Sequence, residues 1–467
     1  MTIEFRVGIE EEGFVLNNMG FLAPYSYKVA EDLLNLIQRD GDLMMRIRRV
    51  LLGIQWEPDP SQIEYVTHPL SLQDIYDSIR FSRELLGRCA QQNELIMAFM
   101  SMHPIQSTPL PINGTHINIS YTGINEARRL RQLNYVANYL RNYIPEIIAA
   151  TSNTPIYRGT YNGYINNRLR LSKVLKHSDY SRLVIKPFRV IPPTMRERFR
   201  YGIIFEKIRR YIRRIEVNKD GDRLLDLTVR GPYTNIIEDI FKSPEATRIE
   251  IRLIDNQLDI NYLNDVVTML LGLTYEAIEN YGRGVDLKKR DNLDILRERA
   301  IKYGVEAETD DGEKMGDKIK ELIERIEPLV ETLGLKFRSP LRKGIPEYKL
   351  HNIEILDMNP SITSLRLDGY QWMEIETTGK RKVIKLNGET KTVDRGRYKG
   401  MIIPEYSMEY EEENGILRRV KRIHIKYYLY TSIGYIELRS EDSIIKSLKP
   451  IERLLQVTER SILSGYQ

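Results

Sequence analysis

The stretch Arg6–Leu16, RVGIEEEGFVL, alternates apolar and polar residues, yet carries three consecutive glutamates, Glu10 to Glu12. An alternation with a period of two predicts a half-buried β-strand over residues 3–16. In a strand, residues i and i+2 share a face, so Glu10 and Glu12 project together and Glu11 projects oppositely. Neighbouring carboxylates repel, and any that turn inward also lose hydration. A cation shared by the outer pair would offset that cost, and an oxygen-rich set favours Mg²⁺ or Mn²⁺ over zinc. A solvated edge strand or a strand paired with arginine carries such a Glu-x-Glu equally well.

Further along the chain, acid-bearing strands alternate with long amphipathic segments. Residues 27–52 read as one helix of mixed charge. In WEPDPSQIEYVTHPL, Pro58 and Pro60 forbid a regular start, and Gln62–Thr67 then reads as a strand. Ser71 and Asp74 form a capping-box signature for a helix to about Asn93. Residues 94–102 and 113–121 read as strands, and a helix over about 125–150 is interrupted by Pro145. RERFRYGIIFEKIRRYIRR is a basic amphipathic helix, ATRIEIRLIDNQL a strand, and Asp259 caps a helix to about Tyr281. A polar loop at 304–318 leads to a charged helix at 317–333. Asn387-Gly388 is then a strong hairpin signal, Asn414-Gly415 a weaker one, and 416–440 reads as two strands. The pattern predicts an α+β protein with a large antiparallel sheet.

Composition narrows the function classes. In 467 residues, 42% are hydrophobic and 29% charged, enough for a sizeable core. Lys+Arg 70 against Asp+Glu 65 gives a net charge of +5, which does not imply non-specific nucleic-acid binding. The single Cys89 excludes an internal disulfide framework and a cysteine-rich metal site, and it suits a reducing compartment. No signal peptide is visible and no apolar run is long enough to span a bilayer, so a cytoplasmic location is expected.

Four short segments carry the chemistry. Beside Glu10 and Glu12, Glu57 and Glu64 flank the proline-kinked strand entrance, with Asp59 a competing acid. His116 shares a strand face with Asn118, although a lone strand histidine is commonly a hydrogen-bonded structural residue. In RIEIRLID, Arg248, Glu250 and Arg252 share one face. That face suits an ion-pair ladder, or a metal ligand flanked by phosphate-binding guanidiniums. Brought side by side, the four faces would form an acidic trough for several divalent ions, suited to nucleotide chemistry. No Walker-type loop, strand-linked Gly-x-Gly-x-x-Gly or Gly-x-Ser-x-Gly occurs.

In order, GIEEE, WEPDPSQIEYVT, Met102-His103-Pro104, GTHINIS, RIEIRLID and YGVEAE resemble the glutamate–cysteine ligase family, across about residues 3–308. That resemblance implies a glutamine-synthetase-like core: a large curved, mainly antiparallel sheet with an acidic concave face, backed by long helices. It implies ATP with Mg²⁺ (or Mn²⁺), a metal shell of Glu10, Glu12, Glu57, Glu64, His116 and Glu250, and Arg248 and Arg252 on the nucleotide. Arg252 would act catalytically on the transferring phosphate. The reaction implied turns the glutamate γ-carboxylate into an acyl phosphate, which an amine, most simply cysteine, converts to a γ-glutamyl amide. Many relatives carry His-x-His where this chain has His116-x-Asn118. Residues 1–310 would form the catalytic core, with 311–467 a C-terminal helix and strand-rich region packed on or completing it. Homo-oligomers are compatible with this reading, and membrane or nucleic-acid partners are not expected. Two other classes stay open: a nucleotide-binding homologue without turnover, and an RNA- or membrane-surface binder using the basic stretch at 196–214.

Overall fold

A computed structural model describes residues 3–17, 22–57, 59–104, 110–122, 126–157, 160–172, 226–231 and 247–347. Beyond these it describes the strand segments 362–365, 373–378, 381–386, 389–394, 401–413, 416–431 and 434–438. The basic stretch at 196–214 lies outside the described residues.

The first strand, β1 (Glu4–Leu16), is followed by α1 (Ser26–Arg39), α2 (Gly41–Val50), β2 (Leu51–Trp56) and β3 (Gln62–Thr67). Next come α3 (Ile75–Gln91), β4 (Ile96–Ala98), β5 (Thr115–Thr122), α4 (Glu126–Arg141) and α5 (Ile144–Thr151). The short β6 (Ile156–Tyr157), β7 (Thr160–Tyr161) and α6 (Asn167–Leu171) precede β8 (Leu227–Arg230) and β9 (Arg248–Ile254). The long α7 (Ile260–Gly282), then α8 (Leu293–Tyr303) and α9 (Met315–Thr332), complete this part.

The principal sheet has seven strands in the order β2-β3-β1-β5-β9-β8, with β4 also pairing β1, and every pairing is antiparallel. The fold is thus α+β with a mainly antiparallel sheet, as the alternating patterns predict. β1 is central because both its edges are taken. Its Val7 and Ile9, with Ile117 and Ile119 of β5 and Ile249 and Ile251 of β9, turn one face into a fully buried core. Val266, Leu270 and Leu273 of α7 belong to the same core, which is where the longest apolar run of the sequence goes. Among the described residues no helix is long and apolar enough to cross a membrane. Gly272 lets α7 and α9 approach, since a Cβ there would meet Val330 Cγ1 at 2.8 Å and Ile326 Cδ1 at 2.9 Å.

Three sequence readings are corrected. The single helix over 27–52 is two helices and a strand. Asp40 adopts extended backbone (φ −130°, ψ 101°) and its carboxylate accepts the Leu43 N–H at 2.9 Å, starting a second helix. LLGIQW then pairs with β3, so the helical reading overran the start of a strand at Leu51 and Leu52. The strand over 94–102 shrinks to three residues, held only where β1 offers Phe14 to Leu16 as partners. Finally, Ser71 donates to the Asp74 carboxylate at 2.6 Å rather than accepting a backbone N–H, and a 3₁₀ turn precedes α3. Other boundaries agree closely: β3 spans Gln62–Thr67, Pro145 sits in the first turn of α5, and the Asp259 side chain accepts the Asn261 N–H at 2.8 Å at the start of α7.

Farther along, β10 (Ile362–Leu365), β11 (Met373–Thr378), β12 (Arg381–Leu386) and β13 (Glu389–Asp394) form one antiparallel sheet, and β14 (Met401–Glu413), β15 (Ile416–Thr431) and β16 (Gly434–Leu438) another. Leu386 lies opposite Glu389, and Glu413 opposite Ile416, so paired strands flank each Asn-Gly signal, while Asn387-Gly388 and Asn414-Gly415 lie outside the described residues.

Glu347 ties the end of the continuously described chain to the core. It is fully buried and its carboxylate accepts the Leu258 N–H at 2.6 Å, the Asp259 N–H and the Asn153 amide at 2.8 Å. The Leu258 and Asp259 N–H groups lie at the entrance to α7, and the Asn153 amide reaches it from the segment after α5. Glu347→Ala orphans several buried donors at once, at about 1–3 kcal/mol for a buried group left unpaired. Urea unfolding should therefore show a midpoint clearly below that of the wild type. An unchanged midpoint would refute the capping role.

Candidate active site

The exposed face of the sheet collects polar side chains because register aligns them. Glu12 stands opposite Glu64 across β1 and β3, Glu10 opposite His116 across β1 and β5, and Asn118 opposite Glu250 across β5 and β9. Two groups result. In the first, one ligand atom each from Glu10, His116 and Glu250 lie within 4.8 Å of one another. The second joins Glu12, Glu57 and Glu64 with the same closeness. All six residues singled out from the sequence are therefore brought together, from four strands and the residue after β2. Asp59 is engaged elsewhere, its carboxylate accepting from the Ser61 N–H at 2.9 Å and the Ser61 hydroxyl at 2.6 Å.

Neighbours orient these ligand atoms. His116 Nδ1 lies 3.3 Å from Glu10 Oε2, and the Asn118 amide donates to Glu10 Oε1 at 3.0 Å. Arg248 Nε donates to Asn118 Oδ1 at 2.6 Å, so Arg248 reaches the first group through Asn118. The Gly114 N–H donates to Glu12 Oε2 at 2.8 Å. Glu250, almost fully buried, is gripped on both oxygens: Arg252 Nη2 at 2.5 Å from Oε1 and Arg230 Nη1 at 2.9 Å from Oε2.

Two arginines escaped the sequence reading. Arg230 ends the alternating Leu227-Thr228-Val229-Arg230 of the edge strand β8. A period-two signal was there, but four residues are too few to read alone. Arg168, in the short α6, carries no local signal. Its Nη2 donates to the Arg252 carbonyl at 3.0 Å, and Nη1 lies 3.7 Å from Asp255 Oδ1. Gly114 makes room for it, since a Cβ there would come within 2.0 Å of Arg168 Nη2. Among the described residues, Arg168 Nε and Nη1 and Arg252 Nε are buried donors with no hydrogen-bond partner. An anionic ligand is the natural partner of such donors.

The electrostatics match a face built for cations. Burial raises the Glu64 carboxyl first, and Glu12, Glu10 and Glu57 add repulsion, pushing it up to about 9. Burial and then Glu12 push Glu57 up to about 6. For Glu10, burial also raises, but hydrogen bonding and charge from His116, with Arg248 and Arg252, win and hold it down at about 2. Oxygen donors with one imidazole, crowded until protons bind, fit Mg²⁺ or Mn²⁺. Cys89 is buried in the α3 core, and burial pushes its thiol up to about 12, which removes it as a nucleophile.

Fold and site together define an α+β protein whose antiparallel sheet gathers two three-residue groups able to hold metal ions, with buried arginine donors beside them. Residues 112–344 match the family model described as Glutamate-cysteine ligase family 2 (GCS2). The matched stretch holds His116, Arg168, Arg230, Arg248, Glu250 and Arg252, whereas Glu10, Glu12, Glu57 and Glu64 precede it. No curated protein matches the chain. Solved structures similar to it include GmaS without ligand (14% identity, 64% of this chain and 63% of that one, TM-score 0.37). Plasmodium falciparum glutamine synthetase is another (12% identity, 59% and 52%, TM-score 0.36). A third is glutamate–cysteine ligase from Francisella tularensis in complex with AMP (12%, 76% and 83%, TM-score 0.43). The chain thus spans less than two thirds of the length of the first two.

A pH dependence follows from the raised acids. Glu64 and Glu57 hold protons in the fold that they release in the unfolded chain above the ordinary carboxyl value of 4.5. Their contribution to stability is therefore lost progressively as pH rises from about 4.5 to about 9. Glu10 works oppositely, losing its stabilising contribution as pH falls from 4.5 towards about 2. In the presence of a chelator, Tm should fall between about pH 5 and about pH 9, and added Mn²⁺ should raise Tm more at the alkaline end. A Tm that is flat across this range, with or without Mn²⁺, would contradict the crowding of acids.

Proposed function

We propose that the chain is an ATP- and Mg²⁺-dependent carboxylate–amine ligase that activates the glutamate γ-carboxylate as an acyl phosphate and joins it to an amine, most simply cysteine. One observation carries the reading: two three-residue groups, Glu10–His116–Glu250 and Glu12–Glu57–Glu64, lie side by side on one sheet face with arginine donors at hand. The family over 112–344 supports the same chemistry.

In this reading the six side chains hold the divalent ions. Bound there, Mg²⁺ would neutralise phosphate oxygens and screen the approach of one anion to another. Glu12 is fixed by the Gly114 N–H, and Glu10 by His116 and Asn118, so their oxygens are presented without reorganisation. Arg252 is the residue for the transferring phosphoryl group, because its Nε is buried and free of protein acceptors. Arg168 offers two more such donors for a substrate carboxylate or phosphate. Arg248 acts on the nucleotide side by holding Asn118 against Glu10. Residues 1–347 would form the core, because α9 and Glu347 pack into it. The strands after 362 would elaborate it.

ADP release measured with glutamate against cysteine and a panel of other amines tests the reaction. Turnover dependent on glutamate and one amine is expected. Background ATP hydrolysis with every combination would instead favour a nucleotide-binding protein without turnover.

Glu12→Gln should lower turnover about 10²–10³-fold, the scale of losing one preorganised charge-stabilising group, while the fold is kept. Arg252→Lys should lower kcat by a similar factor, because lysine does not reproduce the planar fork. Near-normal kcat in both variants would refute the site. Glu250→Gln is a poorer probe, since it would leave Arg230 and Arg252 facing each other without their shared carboxylate.

A further inference from the structure

Glu11 is the acid that the metal face does not use. It points through β1 to the covered side and is fully buried. Arg83 of α3, also fully buried, meets it with a two-pronged ion pair: Nε to Oε2 at 2.9 Å and Nη2 to Oε1 at 2.8 Å. The rest of the guanidinium is engaged as well, Nη1 with the Leu258 carbonyl at 2.8 Å and Nη2 with the Gln257 carbonyl at 2.5 Å.

The other partners of Glu11 reach both neighbouring strands. Tyr65, opposite Glu11 on β3, donates its hydroxyl to Oε2 at 2.8 Å. Thr115, opposite Glu11 on β5, lies 3.3 Å from Oε1. Tyr65 follows Glu64 and Thr115 precedes His116 in the chain. Asn256, 3.4 Å from Glu11 Oε1, also donates to the Glu12 carbonyl at 2.9 Å. One buried carboxylate thus holds, from behind, the immediate neighbours of Glu10, Glu12, Glu64 and His116.

Stability alone does not account for this pair. A buried ion pair commonly does no better than apolar residues of equal volume, and a strand with Val7 and Ile9 on that face would pack without it. What an apolar pair would not supply is register. A one-residue slip of β1 exchanges its faces, and the repulsion among the outer acids pushes the three strands towards relief.

We propose that Glu11 and Arg83 form a positioning ion pair, fixing the face and register of β1 against β3 and β5 so that the two acid groups converge. This rests on the metal-binding reading above. Mn²⁺ titration by calorimetry, without nucleotide, tests it together with Tm and the division of any activity loss between kcat and KM. The double variant Glu11→Leu/Arg83→Met removes both charges and keeps apolar bulk. It should stay folded, melt below the wild type because the Tyr65 hydroxyl and the Leu258 and Gln257 carbonyls lose their partners, and bind Mn²⁺ about 10–100-fold more weakly, the range seen when groups supporting metal ligands are lost. Its activity loss should fall on kcat. Tyr65→Phe, which removes one hydrogen bond to Glu11 and little volume, should weaken Mn²⁺ binding a few-fold with Tm nearly unchanged.

Wild-type Mn²⁺ affinity in a folded double variant would overturn the inference. If the double variant does not fold, Tyr65→Phe decides, and unchanged Mn²⁺ binding there overturns the inference too. Absence of Mn²⁺ binding by the wild type would instead overturn the metal-binding reading itself, and this inference with it.

Discussion

Repulsion among five carboxylates on one sheet face is the constraint that organises this molecule. Glu10, Glu12, Glu57, Glu64 and Glu250 would drive their strands apart in a protein held only by apolar packing. The structure answers on three sides. Beneath the sheet, isoleucines of β1, β5 and β9 lock into the helical layer. Within the strands, Glu11 and Arg83 grip from behind. At the face itself, Arg230 and Arg252 clasp Glu250, and Asn118 and His116 hold Glu10. Each device keeps the five carboxylates on one face of the sheet.

Much of this face was legible in the sequence because antiparallel sheets translate directly from a period of two. The alternation around Glu10 and Glu12 predicted which acids share a side, and Tyr65, Thr115 and Arg83 confirm that Glu11 faces the other way. The same rule placed Glu64, His116 and Glu250 on polar faces of their strands. Their meeting, however, depends on strand order, and β2-β3-β1-β5-β9-β8 contains non-sequential neighbours that no local pattern specifies.

Where the reading fell short, the missing information was tertiary or too brief. The helical reading ran over the start of β2 because Leu51 and Leu52 follow directly on the mixed-charge helix, and only pairing with β3 makes Leu51–Trp56 a strand. Arg168 has no period to announce it, and although Asn166 caps its five-residue helix, its importance comes from lying against Gly114 and Arg252. Arg83 carries no signal of its own in the α3 pattern, yet it is fully buried, which only the packing of α3 beneath β1 reveals.

The double clasp on Glu250 has a consequence for the order of events at the face. Its two oxygens are already committed to Arg230 and Arg252. A cation drawing on that carboxylate competes with the guanidiniums and loosens their hold. An incoming anion that recruits Arg252 likewise gives Glu250 back to the cation. Each ligand thereby removes an obstacle to the other, and by thermodynamic reciprocity the help is equal in both directions. On the proposed reading, Glu250 and its arginines would form an exchange point that favours a metal–anion pair arriving as a unit over either partner alone.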